Sequence, residues 1–185
     1  LKWFKNELMR TSLSYAELDK KVKDTPTNLF IMPHFAGAAT PFMDTDSKAA
    51  VIGLTFEHTA NDIYKALMEG TAFEILLNLD KLSTFGITPK EMIATGGGAN
   101  SDVWLQVKAD VSGIPVKALD NQEIGAAGTA YVAGKAIGMY DENTRLAGVR
   151  KEFLPNKEKH AFYAKQFKKY EKIYKAAKEV LKNDE

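Results

Sequence analysis

The sequence predicts an α/β fold, on three observations. Short apolar runs with strand character, such as residues 50–55 and 92–95, alternate with stretches that have helical spacing. A run of three glycines, Gly96 to Gly98, joins one of these strands to the helix that follows it. After Pro155 the chain ends in a long amphipathic pattern, so we expect a terminal helix that packs on the rest of the fold.

The composition is that of one soluble globular domain. The chain has 185 residues, of which 45% are hydrophobic and 26% are charged. A net charge of +1 gives no field that favours nucleic acid or membrane as a partner. The absence of cysteine excludes disulfides and thiolate metal sites, and no apolar run reaches the roughly 18 residues of a membrane span. We expect a cytoplasmic protein. Because Leu1 opens directly on an apolar helical segment, we expect either a piece of a longer chain or one shortened for production.

The first half of the chain is predicted to begin with two short helices and two strands. The helices lie within residues 1–24, and Ser14 caps the second, with Glu17 three residues later. Strands are expected at residues 28–32 and 50–55, joined by a loop rich in small residues and turn formers.

A long helix is predicted next, over residues 59–82. Thr59 is its cap, with Asp62 at the third helical position. Its polar residues follow a narrow stripe, so we expect it to be buried on more than one side.

Four side chains in this half could be taken for catalytic groups. His34 and Asp44 lie in the loop, while His58 and Glu69 lie beside or within the long helix. We interpret all four as structural, because no partner stands at a fixed spacing from them.

The glycine run predicts a ligand-binding site, called the seat below. Glycine permits positive φ and close approach of a ligand to the backbone, and the first turn of a helix presents unpaired N–H groups. The seat would suit the phosphate or sugar edge of a nucleotide. The alternative is a tight strand-to-helix turn with nothing bound.

The glycine run differs from two known nucleotide-binding motifs. A dinucleotide fingerprint, G-x-G-x-x-G with an acid about 20 residues on, is matched by Gly96, Gly98 and Asp120 but has Ser101 at the third glycine. The P-loop pattern is absent. The dinucleotide interpretation therefore stays open but lacks its packing glycine.

A helix over residues 123–137 contains Gly125, Gly128 and Gly134, and Gly138 is placed just past its end. The three interior glycines cost about 3 kcal/mol relative to alanine. Either this helix packs tightly on the sheet, or a flat ligand such as adenine lies against it.

The terminal helix carries an aromatic stripe at alternating spacings of four and three residues, which predicts a buried face. Its lysines are interpreted as a solvated face rather than a nucleic-acid surface, because glutamates lie among them. The stripe consists of Tyr163, Phe167, Tyr170, Tyr174, Ala177 and Leu181.

Taken in order, several motifs resemble the carboxy-terminal half of the FGGY carbohydrate kinases, a family that includes xylulokinases, gluconokinases and glycerol kinases. The motifs are Met32 to Pro41 with Asp44, Gly53-Leu54-Thr55, Leu67-Met68-Glu69-Gly70, Thr95 to Ser101 with Trp104, Gly125-Ala126-Ala127, and Phe153 with Pro155. The resemblance covers nearly the whole chain. Ala38-Ala39 stands where xylulokinases tend to carry a charged pair, so xylulose is not assigned as the substrate.

The resemblance implies an actin-like ATPase fold of the ribonuclease H type, with residues 1–150 as an incomplete ATP-binding domain and 151–185 as its docking helix. It implies a kinase that uses Mg²⁺ and ATP to phosphorylate a small sugar, ketose, polyol or sugar acid. By this resemblance, the match of Asp120 to the acid of the dinucleotide fingerprint is a coincidence. The residues implied for binding the adenosine of ATP are Gly96, Gly97, Gly98, Ala99, Ser101 and Asp102.

The family's first domain, with its phosphate loop, sugar pocket and catalytic aspartate, is not in this sequence. We therefore assign no catalytic residue and no metal ligand here, and expect Mg²⁺ to be bound mainly with the missing half. Expected partners are the sugar or polyol substrate and the absent N-terminal domain, and homodimer formation is left open. Two alternatives remain, a non-catalytic nucleotide- or sugar-responsive module and a dinucleotide-binding oxidoreductase domain.

Overall fold

The computed structural model describes residues 1–120 and 123–181. Those residues form five strands and five α-helices, which confirms the α/β class, and they also include a π-helical turn at Phe4–Met9 and a 3₁₀ turn at Gly97–Asn100. No helix in these two ranges is long and apolar enough to cross a membrane. In chain order the elements are α1 (Tyr15–Asp19), β1 (Phe30–Met32), β2 (Ala50–Ile52), α2 (Ala60–Ser83), β3 (Met92–Ala94), α3 (Asp102–Ser112), β4 (Val116–Leu119), α4 (Ile124–Ala136), β5 (Val149–Phe153) and α5 (Lys157–Val180).

Helix α2 is the central helix of the fold. It begins as the sequence predicted: the Asp62 carboxylate accepts the Thr59 amide at 2.8 Å, and the Thr59 hydroxyl accepts the Asp62 amide at 3.4 Å. This capping box satisfies two amides at the helix start. Nearly every residue from Tyr64 to Phe73 is buried, because β1 packs on one side of the helix and α3 on another.

Strand β1 lies unusually close to α2 at Gly70. A Cβ atom at Gly70 would be 2.0 Å from the carbonyl oxygen of Ile31. Ile31 and Met32 are each only 1% exposed, so this contact is deep in the core. Glycine is therefore required where the helix backbone meets the strand backbone.

The strands form two small sheets. Strands β1 and β2 are antiparallel; in the second sheet β3 and β4 are parallel, and β5 is antiparallel to β4. Within the described residues β3 pairs only with β4, so its other edge is open, and Ile93 is 52% exposed. Strand β2 is shorter than predicted because Gly53, with φ of +91°, ends it.

Strand β5 was not predicted from the sequence. Only Phe153 is buried among its residues, so it lacks the alternation of apolar and polar residues that identifies a strand. It also crosses residue 150, the boundary proposed between the two parts of the chain, and that division stays a prediction.

Helix α5 covers a core built from β1, α2 and α3. The stripe predicted to dock is buried at Tyr163, Phe167 and Tyr170, and Ile173 joins it. The end of the stripe is less covered, with Leu181 41% exposed. The lysines on the opposite face are exposed, as predicted, at positions 165, 168, 169, 172 and 175, whereas Lys182 lies outside the described residues.

Candidate functional site

The glycine turn, residues 96–101, follows β3 directly. Gly96 has φ of +73°, a conformation that other residues rarely adopt. Cβ atoms built at Gly96 or Gly97 would meet nothing within 4 Å, whereas one at Gly98 would lie 3.2 Å from Cζ3 of Trp104. The turn therefore exposes bare backbone at its first two glycines, and the Trp104 indole covers the third.

The end of the turn is engaged in starting helix α3. Ala99 is 4% exposed, and the Ser101 hydroxyl accepts the Trp104 amide at 3.1 Å as the N-cap. Asp102, the first residue of the helix, accepts hydrogen bonds from Lys151 at 2.7 Å and from Arg150 at 3.1 Å. These bonds, Lys151 first, lower the pKa of the Asp102 carboxyl, so it is an anion at neutral pH.

The predicted binding residues thus divide into two groups. A side chain at Gly96 or Gly97 would meet open space, while the side chains of Ser101 and Asp102 already have partners within the chain. Sequence analysis did not point to Arg150 or Lys151, because strand β5 was not recognised.

Helix α4 lies beyond the same edge of the sheet as the glycine turn. Strands β3 and β4 are parallel, with Ala94 opposite Ala118, so the segments that leave their carboxyl ends emerge side by side. Of the two alternatives predicted for α4, tight packing on the sheet is wrong: most of the helix is exposed, and Cβ atoms at Gly125 and Gly128 would meet nothing within 4 Å. Gly134 is closely packed, but against Tyr140 rather than the sheet.

Asp120 is held by a backbone contact. Its Oδ1 accepts the amide of Gly148 at 2.8 Å, and its own amide donates to the Gly148 carbonyl at 3.0 Å. The Asp120 carboxylate therefore holds the backbone of Gly148, the residue just before β5. The acid that matched the dinucleotide fingerprint has a structural role in this chain.

The loop histidine and aspartate also have partners within the chain. His34 is 4% exposed; its Nδ1 lies 2.7 Å from Ser47 Oγ, and its Nε2 lies 3.3 Å from a Glu74 oxygen without hydrogen-bond geometry. Asp44 accepts hydrogen bonds from Tyr174 at 2.6 Å and Lys178 at 2.8 Å. These contacts agree with a structural role, since they tie the loop to the end of α5.

Glu69 and His58 likewise make local contacts. Glu69 is 2% exposed and accepts hydrogen bonds from the Thr27 amide at 3.0 Å and the Tyr163 hydroxyl at 2.7 Å. Burial raises the pKa of this carboxyl, against the opposing effect of those hydrogen bonds. His58 Nδ1 accepts the Thr55 amide at 3.0 Å in the loop before α2.

The two larger clefts described for the chain are not formed by the glycines of the turn. One of about 440 Å³ is lined by Asp102, Val103, Gln106 and Lys151, and none of its lining residues precedes Asp102 in the turn. A larger one, of about 850 Å³, lies between residues 35–48 and the end of α5 and shares no residue with the turn. Because a Cβ atom at Gly96 or Gly97 would meet nothing within 4 Å, we describe the surface there as an open shelf.

A metal site is not formed by the part of the chain that the structure describes, since no three His, Asp or Glu side chains there are placed to hold an ion. The shelf and the exposed small residues of α4 leave the main chain open to approach.

Comparisons with known proteins identify the family of the chain. The FGGY family of carbohydrate kinases, C-terminal domain, matches residues 2–137. A xylulose kinase of Staphylococcus epidermidis is 29% identical over 182 residues, which are 96% of this chain and 36% of that protein. A glycerol kinase of Shewanella pealeana is 31% identical over 161 residues, which are 84% of this chain and 32% of that protein.

A solved structure gives the same result for the fold. Ligand-bound xylulose kinase from Lactobacillus acidophilus matches with a TM-score of 0.82 and 25% identity, covering 95% of this chain and 37% of that one. The expected actin-like fold is therefore confirmed, and the chain spans little more than a third of its relatives' length. With the family match over most of its residues, the chain belongs to the FGGY family of carbohydrate kinases and corresponds to the family's C-terminal domain.

Proposed function

We propose that this chain is the nucleotide-holding part of an ATP-dependent sugar kinase, and that the glycine turn receives the adenosine end of ATP. The observation that carries the proposal is the open backbone at Gly96 and Gly97, where a side chain would meet nothing within 4 Å. The turn lies where parallel strands end, the usual place for a ligand in an α/β sheet.

Helix α4 supplies a second surface for the nucleotide. Gly125 and Gly128 are exposed, and a Cβ at either position would face open space. A planar base can lie against such small residues, so the adenine is placed between the glycine turn and α4. Gly96, Gly97, Gly98 and Ala99 would contact the nucleotide through their backbone, and Ser101 and Asp102 would shape the start of α3.

Mg²⁺ is expected to enter with the nucleotide phosphates. The described residues form no group suited to hold the ion, so no ligand is assigned to it in this chain. Mg²⁺ neutralises phosphate charge during phosphoryl transfer, and that chemistry requires groups outside these residues.

The acceptor is proposed to be a hydroxyl of a small sugar, ketose, polyol or sugar acid. The matched relatives are named xylulose, glycerol and gluconate kinases, so they differ in acceptor although each matches this chain. The acceptor site and catalytic base are proposed to belong to an N-terminal domain, which packs against this one in a cytoplasmic enzyme. Whether the enzyme is a homodimer is decided by its mass in solution.

Nucleotide binding tests the proposal directly. Trp104 lies against the turn, and changing the other tryptophan, Trp3, to Phe leaves Trp104 as the sole indole reporter. We expect saturable fluorescence change with Mg-ATP and none with NAD. Gly97→Asp, which places a carboxylate on the shelf, should weaken ATP binding about tenfold or more, whereas Ala164→Asp, an exposed change of equal charge on α5, should not.

Turnover is tested in the protein extended to the length of its relatives, with xylulose, glycerol and gluconate as acceptors. Gly97→Asp should raise the KM for ATP much more than that for the sugar. ATP binding without turnover would favour the non-catalytic module, and preference for NAD would favour the dinucleotide-binding alternative. Equal effects of Gly97→Asp on both KM values would argue against ATP binding at the glycine turn.

A further inference from the structure

We infer that Arg150, assisted by Lys151, is a positioning residue that holds the glycine turn in its binding conformation. Its consequence for ATP affinity rests on the proposed function, whereas its contact with the turn does not. Neither residue belongs to the glycine motif, and they are contributed by strand β5.

Strand β5 contains a β-bulge at Arg150. Ala118 of β4 pairs with Lys151, but the next residue, Leu119, pairs with Val149, so Arg150 is an extra residue in β5. In a regular strand, successive side chains point to opposite faces of the sheet. The bulge changes this, and the side chains of Arg150 and Lys151 both reach Asp102.

The side chains of Arg150 and Lys151 contact the glycine turn and the start of α3. Arg150 Nη2 donates to the Ala99 carbonyl at 3.0 Å and to Asp102 Oδ1 at 3.1 Å. Lys151 Nζ donates to Asp102 Oδ2 at 2.7 Å. Arg150 thus joins the backbone of the turn to the first residue of α3, and Lys151 holds the other oxygen of that carboxylate.

The open part of the turn, Gly96 and Gly97, has little packing of its own. Gly96 and Gly97 contribute no side chain, and glycine backbone has more conformational freedom than that of any other residue. Trp104 covers Gly98, and Ala99 is buried, so the turn is held from that side. Arg150 reaches it from the neighbouring strand, and the loss of this contact would let the open segment sample other conformations.

Preorganisation links this contact to affinity. A ligand that binds backbone groups needs them in one arrangement, and a looser turn must be ordered when the ligand binds. We therefore expect Arg150 to affect ATP affinity through Ala99 and Asp102, without itself touching the nucleotide.

Amide hydrogen exchange and ATP titration together test the inference. The readouts are the exchange rates of the Ala99 and Ser101 amides, which donate to Gly96 and Gly98 carbonyls at 3.0 and 3.5 Å, and the Kd for Mg-ATP. Arg150→Ala should speed exchange at both amides and raise the Kd, each by about three- to fivefold, since these contacts are partly exposed. Lys151→Ala should have a smaller effect on both.

Two further variants separate positioning from general stability. Arg150→Lys keeps a cation that can reach Asp102 but loses the planar donor group, so it should recover part of both effects. Lys117→Ala is the matched control, because Lys117 lies on β4 of the same sheet and pairs with Glu91 at 2.5 Å, away from the turn. It should leave both readouts at their wild-type values.

Wild-type exchange at Ala99 and Ser101 in Arg150→Ala would overturn the inference, as would an equal change in Lys117→Ala. Faster exchange with an unchanged Kd would overturn the link to affinity. If the unaltered chain does not bind ATP, the proposed function fails, while the exchange rates still decide whether Arg150 holds the turn.

Discussion

Replacing Gly70 with alanine tests the closest contact in the core. The new Cβ would lie 2.0 Å from the Ile31 carbonyl oxygen, 3.1 Å from its carbon and 3.7 Å from Cδ of Pro33. Because a backbone carbonyl cannot rotate away, β1 and α2 must separate by about 1 Å, and overpacking of this kind costs about 3 kcal/mol. Alanine regains about 1 kcal/mol of helix propensity, which leaves a net loss of about 2 kcal/mol.

The assay is urea and thermal unfolding followed by circular dichroism. A loss of this size should lower the melting temperature by about 4–8 °C for a chain of this length. Gly128→Ala is the matched control, since it is also a glycine inside a helix but its Cβ would meet nothing within 4 Å. It should stabilise the chain by up to about 1 kcal/mol. A Gly70→Ala variant as stable as the wild type would refute the argument.

Two further predictions concern buried and capping carboxylates. Hydrogen bonds from Thr59 lower the pKa of Asp62 to about 2, below its ordinary value of 3.8. Its stabilisation is therefore complete above about pH 4 and is lost as the pH falls towards 2. Asp62→Asn should cost about 1 kcal/mol of stability at pH 7 and remove this acid dependence. Urea unfolding at pH 7, 4 and 3 would measure both effects. An unchanged pH dependence of stability would contradict the prediction. Glu69→Ala should cost about 2–4 kcal/mol, because it leaves the buried Tyr163 hydroxyl without its acceptor and removes the carboxylate that lies 4.0 Å from the buried Lys65 ammonium. Glu69→Gln keeps a hydrogen-bond acceptor and should cost less in the same assay, and a loss equal to that of Glu69→Ala would contradict the role given to the hydrogen bonds.

Local signals predicted the helices well. Thr59 and Asp62 located the start of α2 because a capping box depends only on residues three apart. The aromatic stripe of α5 predicted its buried face, since a helix that packs on one side repeats its apolar residues with the helical period. The glycine turn was predicted in the same way, from a strand, a glycine run and a helix that follow one another.

Contacts between distant residues could not be predicted. Arg150 meets Ala99 across many residues of chain, and the bulge that aims it depends on the register of β5 against β4. Strand β5 itself escaped recognition because only Phe153 is buried. Tight packing of α4 on the sheet, one of the two alternatives, was wrong for a related reason: its small residues indicated close approach, but Cβ atoms at Gly125 and Gly128 would meet nothing within 4 Å.

The open edge of β3 has a consequence for how such a chain associates. Unpaired amides and carbonyls at a sheet edge accept any extended backbone that can reach them. The strand is only three residues long, Met92–Ala94, so it offers few bonds and is a poor template for fibres. Such an edge binds weakly. It therefore favours pairing with a covalently tethered segment, whose effective concentration is high, over pairing with a separate molecule in solution.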